Sequence, residues 1–217
     1  MKFWELNKSH LVPALVLLLL FVFYAYLSFS VSMLNKMLAL GAVVLIGLSF
    51  LLGPLTRFFP KTFGFYLPWR KNIGLWGFVF AVAHTAISLH VYYKWDFMAI
   101  LGFDSFKLFA LLTGAVALFV FGVMTAISSK EWVDKLGYEK WRSVLRTGYF
   151  ALLLVIVHFV LIETKQGVFN VRPAGWAILV FAVLVLLARF AVIFVGMPEK
   201  QSFEEHILPP PKAKQKP

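Results

Sequence analysis

The chain consists largely of apolar runs of about twenty residues, separated by short polar segments. Six such runs cover residues 11–31, 35–55, 72–93, 106–127, 147–164 and 174–196. A helix needs about 20 mostly apolar residues to cross the hydrocarbon core of a bilayer. The pattern therefore predicts an all-α membrane protein, built as a bundle of six transmembrane helices with both termini cytoplasmic.

The six runs leave little of the chain for anything else. We expect a cytoplasmic head at residues 1–10, a membrane domain at 11–196 and a disordered cytoplasmic tail at 197–217, which is rich in proline and lysine. Lys2 and Lys8 precede the first run. That run is longer than the apolar core of a signal peptide and lacks an obvious small-residue cleavage site, so we interpret it as a retained anchor.

Composition narrows the possible chemistry. Of the 217 residues, 61% are hydrophobic and 14% are charged, and there is no cysteine. Thiolate ligands, disulfides and iron–sulfur clusters are therefore excluded. Gly74 and Gly77 open an apolar run and have the wrong spacing for a nucleotide-binding loop. We expect no soluble catalytic domain.

The net charge of +11 comes from 21 Lys and Arg against 10 Asp and Glu. With both termini cytoplasmic, most of these basic residues lie on the inner side, as the positive-inside rule predicts. Tyr92, Tyr93 and Trp95 then belong to an aromatic belt at the outer interface. The charge pattern indicates contact with membrane lipid and gives no sign of nucleic-acid binding.

Two histidines lie deep in the predicted spans, where an ionisable side chain is costly and suggests a function. His84 is 12 residues beyond Asn72 in the third span, and His158 is 12 residues beyond Arg146 in the fifth. At about 1.5 Å per residue, both lie roughly 18 Å from the inner end of their span. His90 points away from His84 and is interpreted as an interfacial residue beside the aromatic belt.

Small residues share a helix face with each of these histidines. They are Gly74, Gly77 and Ala81 beside His84, and Gly148 and Ala151 beside His158. Small residues allow helices to pack closely, and they also make room for a flat cofactor between helices. Both interpretations stay open on spacing alone.

Two facing imidazoles at one depth suit the axial ligation of a haem iron. Zinc fits less well because it needs three or four protein ligands, and no carboxylate lies at this depth. The simpler alternative is a pair of neutral imidazoles that hydrogen-bond Ser88, Thr85 or backbone carbonyls.

Three segments together resemble the ferric reductase-like transmembrane domain family. They are "LLGPLTRFFP", "WRKNIGLWGFVFAVAHTAISLHVYY" and "LGYEKWRSVLRTGYFALLLVIVHFV", and the likeness covers roughly residues 50–165. Within the family, the likeness is strongest to the haem-binding membrane subunits of bacterial periplasmic methionine sulfoxide reductase systems. It implies a location in the bacterial inner membrane and a b-type haem held by His84 and His158, with electrons passing outward.

One departure from the family pattern concerns the number of haems. The position four residues after Trp141, where the family usually has a second histidine, is Leu145. We therefore expect one haem b. Arg146 could contact a haem propionate or a lipid phosphate. The FMN binding of close family members is not carried over, because its residues cannot be matched here.

These observations favour an electron-transfer subunit of an oxidoreductase over a self-sufficient enzyme. Its donor would be a membrane quinol or a reductase partner, and its acceptor would lie at the outer face. That acceptor would be a methionine sulfoxide reductase, ferric iron or another small oxidant. A haem-free scaffold or assembly subunit of the same fold, a stand-alone ferric reductase-like protein and a small transporter remain alternatives.

Overall fold

The computed structural model describes residues 9–27 and 30–195, and it is almost entirely helical. A short 3₁₀ segment, Gly64–Trp69, precedes the helix Arg70–Val91. A two-stranded antiparallel hairpin, Thr164–Lys165 with Val168–Phe169, joins the helix Tyr138–Glu163 to the helix Pro173–Phe194. The helices are α1 (Leu11–Leu27), α2 (Val31–Phe58), α3 (Pro60–Phe63), α4 (Arg70–Val91), α5 (Phe97–Leu101), α6 (Ser105–Ala126), α7 (Lys130–Leu136), α8 (Tyr138–Glu163) and α9 (Pro173–Phe194).

Five membrane spans are confirmed by helices that are long and apolar enough to cross a bilayer. They are α2, the continuous segment Pro60–Val91, α6, α8 and α9. The chain is therefore a multi-pass membrane protein. The first predicted span corresponds to α1, which has 17 residues and is about 26 Å long, shorter than the roughly 30 Å hydrocarbon core. The predicted tail lies outside the described residues, and only Ser9 and His10 of the predicted head are described.

The long helices form two antiparallel pairs, α2 with α4 and α6 with α8, while α9 runs parallel to α2. Helix α2 packs against α4 on one side and α9 on another, and α6 packs against α8. A Cβ at Gly77 of α4 would lie 2.9 Å from the backbone nitrogen of Ile46, so the two backbones approach closely there. Helices α4 and α8 carry the two deep histidines but are not packed directly against each other.

The direction of α1 follows from two contacts at its beginning. Asn72 Nδ2 donates a hydrogen bond to Ser9 Oγ at 2.6 Å, and Trp76 Nε1 donates to His10 Nδ1 at 3.1 Å. Both partners lie in the first two turns of α4. Helices α1 and α4 therefore begin at the same end of the bundle.

Side-chain caps fix where three helices begin after loops at the opposite end. Ser30 accepts from the backbone N–H of Met33 at the start of α2, and Asp104 accepts from two N–H groups at the start of α6. Asp96 caps the short helix α5 in the same way. These caps satisfy backbone donors that a helix cannot pair internally.

We expect Gly77→Ala to destabilise the bundle, because the added methyl group would overlap Ile46 and Leu45 of α2. Overpacking of this kind costs about 1–3 kcal/mol. Gly122→Ala is the matched control, since a Cβ there would meet its nearest side-chain atom, in Phe78, at 3.6 Å. Unfolding of both variants in detergent would be followed by circular dichroism. Equal stability of the two variants would contradict the proposed close approach of α2 and α4.

Candidate functional site

His84 is held by a polar side chain from the neighbouring helix. Its Nδ1 lies 2.9 Å from Asn35 Oδ1 and 3.1 Å from the Asn35 backbone oxygen, both on α2. Both oxygens are acceptors, so Nδ1 carries the proton and donates. Asn35 is only 4% exposed, and its Nδ2 donates to Ser88 Oγ at 2.8 Å. The Asn35 amide thus fixes the orientation and the tautomer of the His84 ring.

His158 is held in the same way by a backbone carbonyl. Its Nδ1 lies 2.7 Å from the Ala110 oxygen of α6, which accepts the Nδ1 proton. One turn further along α6, a Cβ at Gly114 would lie 2.7 Å from Nδ1 and 2.9 Å from Cε1 of the same ring. Only glycine leaves room for the imidazole in this position.

The second nitrogen of each ring is left for another partner. Within the described residues neither Nε2 has a hydrogen-bond partner, although every fully enclosed side-chain nitrogen or oxygen there has one. Both Nε2 atoms therefore border accessible space. The two imidazoles are also close enough to interact electrostatically.

This arrangement fits the axial ligation of a haem. A ligating histidine normally donates its other ring N–H to a carbonyl or carboxylate, as both Nδ1 atoms do here. Helices α4 and α8 have no extensive mutual packing, so the two rings are not forced together by a shared helix contact. No group of three or more His, Cys, Asp or Glu side chains that could hold a metal occurs in the described part of the chain. A haem needs only two protein ligands, because the porphyrin supplies the others.

The small residues that share a helix face with the two histidines lie mainly against other side chains of the protein. A Cβ at Gly74 would lie 3.0 Å from Ser49 Oγ, and one at Gly148 would meet Phe50 and Met124. Together with the Gly77 contact, these positions favour the packing interpretation for the three glycines. Ala151 is fully buried in the core, and Ala81 packs against the hydrophobic cluster between α2 and α4.

The remaining sequence candidates lie away from the two imidazoles. Arg146 is exposed and lies about 18 Å along α8 from His158, so it could reach only a propionate of a second, inner haem. His90 is exposed, and its Nδ1 accepts from Trp95 Nε1 at 3.4 Å, as suits an interfacial histidine.

The part of the bundle between the two histidines and the beginning of α8 contains a cluster of packed aromatic side chains. The rings of Phe50 and Tyr149 are 4.9 Å apart, and those of Phe50 and Phe121 are 6.2 Å apart. Met124 packs against this cluster, which includes the buried Ala151. Leu145 lies about one turn before Tyr149 on α8.

A cavity of about 350 Å³ lies where α6 begins and α8 ends. Its lining includes Tyr93, Asp104, Lys107 and Thr164, and also Ala110, whose carbonyl holds His158. Burial raises the pKa of the Tyr93 hydroxyl. The cavity therefore adjoins the residue that orients one candidate ligand.

The supporting residues Asn35, Ala110 and Gly114 did not stand out in the sequence. Asn35 opens the second predicted span, where a polar residue is ordinary, and only its contact with α4 reveals its role. Gly114 follows Ala110 by four residues and so shares its helix face, but nothing in the sequence pairs that face with His158.

Comparison with known proteins gives two matches. The family described as the ferric reductase like transmembrane component matches residues 38–156. The protein-methionine-sulfoxide reductase heme-binding subunit MsrQ of Pasteurella multocida (strain Pm70) is 32% identical over 136 residues. That alignment covers 58% of this chain and 58% of the relative, so the chain spans less than two thirds of that protein.

We expect Gly114→Ala to displace the His158 ring and weaken its bond to Ala110, because the new methyl group would overlap the imidazole. Haem retained per purified chain should fall several-fold, as measured by the pyridine haemochrome. Gly122→Ala, on the same helix but clear of His158, should retain haem as the wild type does. A normal haem content in both variants would show that Gly114 does not position the ring.

Proposed function

Because the chain belongs to the ferric reductase-like transmembrane component family, we propose that it is a haem-binding electron-transfer subunit of the bacterial inner membrane. The observation that carries this proposal is the hydrogen-bonding arrangement that His84 and His158 share. Each ring is hydrogen-bonded through Nδ1 and presents Nε2 to open space. Two such nitrogens are the protein ligands that a six-coordinate b-type haem requires.

When bound, the haem would supply one-electron transfer, and the protein would position and tune it. Asn35 and Ala110 would hold the ligand rings at fixed angles and keep their protons on Nδ1. The electron-rich carbonyl oxygens would also increase the basicity of each Nε2. The apolar walls of the bundle would keep bulk water away from the site.

We assign one haem to the chain. A second haem further in would need a ligand near the start of α8, where Leu145 cannot bind iron. It would also need space that Phe50, Tyr149 and Met124 now occupy. Both observations support a single site in the outer half of the bundle.

The proposed topology has six crossings with both termini in the cytoplasm. Helix α1 is short for a span, but it begins beside the start of α4 and extends toward the beginning of α2. A Cβ at Gly41 of α2 would meet Leu20 of α1, which supports antiparallel packing of the two helices. The end of the bundle that carries Arg57, Arg70, Arg142, Arg146 and Arg189 then faces the cytoplasm, in agreement with the positive-inside rule.

We propose a membrane quinol as the electron donor, since quinol can approach an outer-half site from within the bilayer. A cytosolic reductase would have to reach across roughly half of the ~30 Å core without an intermediate carrier. The acceptor would lie at the outer face, next to the cavity beside Ala110. By analogy with the MsrQ relative, we propose a protein-methionine-sulfoxide reductase as that acceptor.

The proposed ligands predict the outcome of three histidine substitutions. His84→Ala and His158→Ala should each abolish bound haem, whereas His90→Ala should keep about one haem per chain. The measurement is the dithionite-reduced spectrum and pyridine haemochrome of the detergent-purified proteins. A folded wild type without haem, even when haem is supplied during expression, would leave a haem-free scaffold as the better interpretation.

The Asn35 contact predicts a shift in midpoint potential. Asn35→Asp should lower the midpoint potential by about 50 mV, because a carboxylate acceptor makes His84 a stronger electron donor to ferric iron. A tenfold change in the binding of ferric over ferrous iron corresponds to about 59 mV for one electron. Asn35→Leu should raise the potential, since His84 keeps only the backbone oxygen as acceptor. Redox titration of the absorption spectrum gives both values.

Ser88→Ala is the control for these Asn35 variants. It removes the hydrogen bond that Asn35 Nδ2 donates to Ser88 Oγ, and it leaves the contact between Asn35 Oδ1 and His84 unchanged. Its midpoint potential should stay close to that of the wild type. Shifts of the same sign in Asn35→Asp and Asn35→Leu would rule out tuning through this hydrogen bond.

A further inference from the structure

The cavity where α6 begins and α8 ends lies about one helical turn beyond the His158 ring. Leu161 and Ile162, which line it, follow His158 by three and four residues and so share its face of α8. Ala110 also lines the cavity, and its carbonyl oxygen accepts the Nδ1 proton of His158. A group bound in this cavity would therefore stand beside a candidate haem ligand.

Lys107 of α6 is the cationic side chain that lines this cavity. It precedes Ala110 by three residues, which is about 4.5 Å along the helix axis. Its Nζ lies 3.5 Å from the ring centre of Phe103 and 5.8 Å from that of Tyr93, and these two rings are themselves 5.8 Å apart. Lysines beside an apolar surface usually extend the amino group into water. Lys107 is instead half-buried, with its amino group over two rings.

The Lys107 amino group has donors left for a further partner. Among the described residues it makes no hydrogen bond and no ion pair, and the ring faces do not use up its three N–H groups. The acidic residue of the lining, Asp104, is engaged at the beginning of α6. Its Oδ1 accepts from the backbone N–H groups of Phe106 and Lys107, each at 3.1 Å. The partial positive charge of that helix end offsets the charge of the carboxylate.

The Tyr93 hydroxyl provides a second donor in the same lining. Tyr93 Oη has no hydrogen-bond partner among the described residues, and every fully enclosed polar atom there has one, so this oxygen borders accessible space. Burial raises the pKa of the hydroxyl, which therefore stays protonated near neutral pH and can donate. An ammonium group and a phenol at one cavity suit a carboxylate, because hydrogen bonds to a charged acceptor are the strong ones.

We propose that Lys107 and Tyr93 bind a propionate carboxylate of the haem, an inference that rests on the proposed function. An ionised carboxylate in an apolar bundle needs a charged or hydrogen-bonding partner. These two donors lie beside the cavity that adjoins His158. Arg146, the cation expected from the sequence, is about 18 Å from His158 along α8. The propionate edge of the haem would then point toward the end of the bundle where α6 begins.

The test compares haemin with its dimethyl ester, which lacks both propionate charges. The full chain is produced under haem-deficient conditions, purified in detergent and titrated with each compound, and binding is followed by the absorption spectrum. Wild type should bind haemin about tenfold more tightly than the ester, as expected for hydrogen bonds to a charged group. Lys107→Gln should remove most of this preference. Tyr93→Phe keeps the ring near Lys107 and should reduce the preference about threefold, as expected for one lost hydrogen bond.

Lys94→Gln is the matched control, because Lys94 is exposed near the same end of the bundle and does not line the cavity. It should change the preference by less than about twofold, since an exposed charge contributes little. Lys107→Arg keeps the charge and should keep the preference, which separates lost charge from lost packing on Phe103.

Two different failures are distinguishable. The same preference in wild type, Lys107→Gln and Tyr93→Phe would overturn the proposal, and this is also the result expected if a phospholipid phosphate is the anion beside Lys107. If Lys107→Gln fails to fold, Tyr93→Phe decides. Binding of neither compound by folded wild type would overturn the proposed function as well.

Discussion

The arrangement of the site depends on one recurring contact, a histidine Nδ1 that donates to an oxygen of the neighbouring antiparallel helix. His84 makes it with Asn35 of α2, and His158 makes it with Ala110 of α6. Each bond ties a deep polar ring to the helix that already packs beside it. Neither ring needs the other helix pair for its hydrogen bond. Each Nε2 is therefore left for a further partner, since none is found for it among the described residues.

Glycine at selected positions makes these contacts geometrically possible. Gly77 lets α4 approach α2 closely enough for the His84 ring to reach Asn35, and Gly114 clears the place that the His158 ring occupies. The two glycines therefore act differently. Gly77 permits close approach of backbones, whereas Gly114 makes room for a side chain. A stripe of small residues along a membrane helix does not by itself distinguish these uses.

Much of the fold could be predicted from the sequence, because the length of an apolar run is enough to identify a membrane helix. Five of the six spans are confirmed, and α1 differs because its 17-residue helix is shorter than the hydrocarbon core of a bilayer. The pairing of His84 and His158 as haem ligands follows from their depth and helix face in the sequence, and it stays a prediction. What holds each ring was not predictable, because Asn35 and Ala110 are distant in sequence and ordinary in type. The sequence left open whether the glycines make room for a cofactor or for a neighbouring helix, and the contacts that a Cβ would make at Gly74, Gly77 and Gly148 favour helix packing.

The aromatic filling of the inner half has an energetic consequence for a cell with a membrane potential. Moving one elementary charge across a whole bilayer involves about 2.3 kcal/mol for each 100 mV. In the proposed topology, the packed rings of Phe50, Phe121 and Tyr149 lie in the cytoplasmic half of the bundle, where no second haem would be bound. Electrons that enter from the bilayer and leave at the outer face would cross only a fraction of the field. Turnover of such a protein would be nearly independent of how strongly the membrane is energised, so reduction at the outer face could continue as the potential varies.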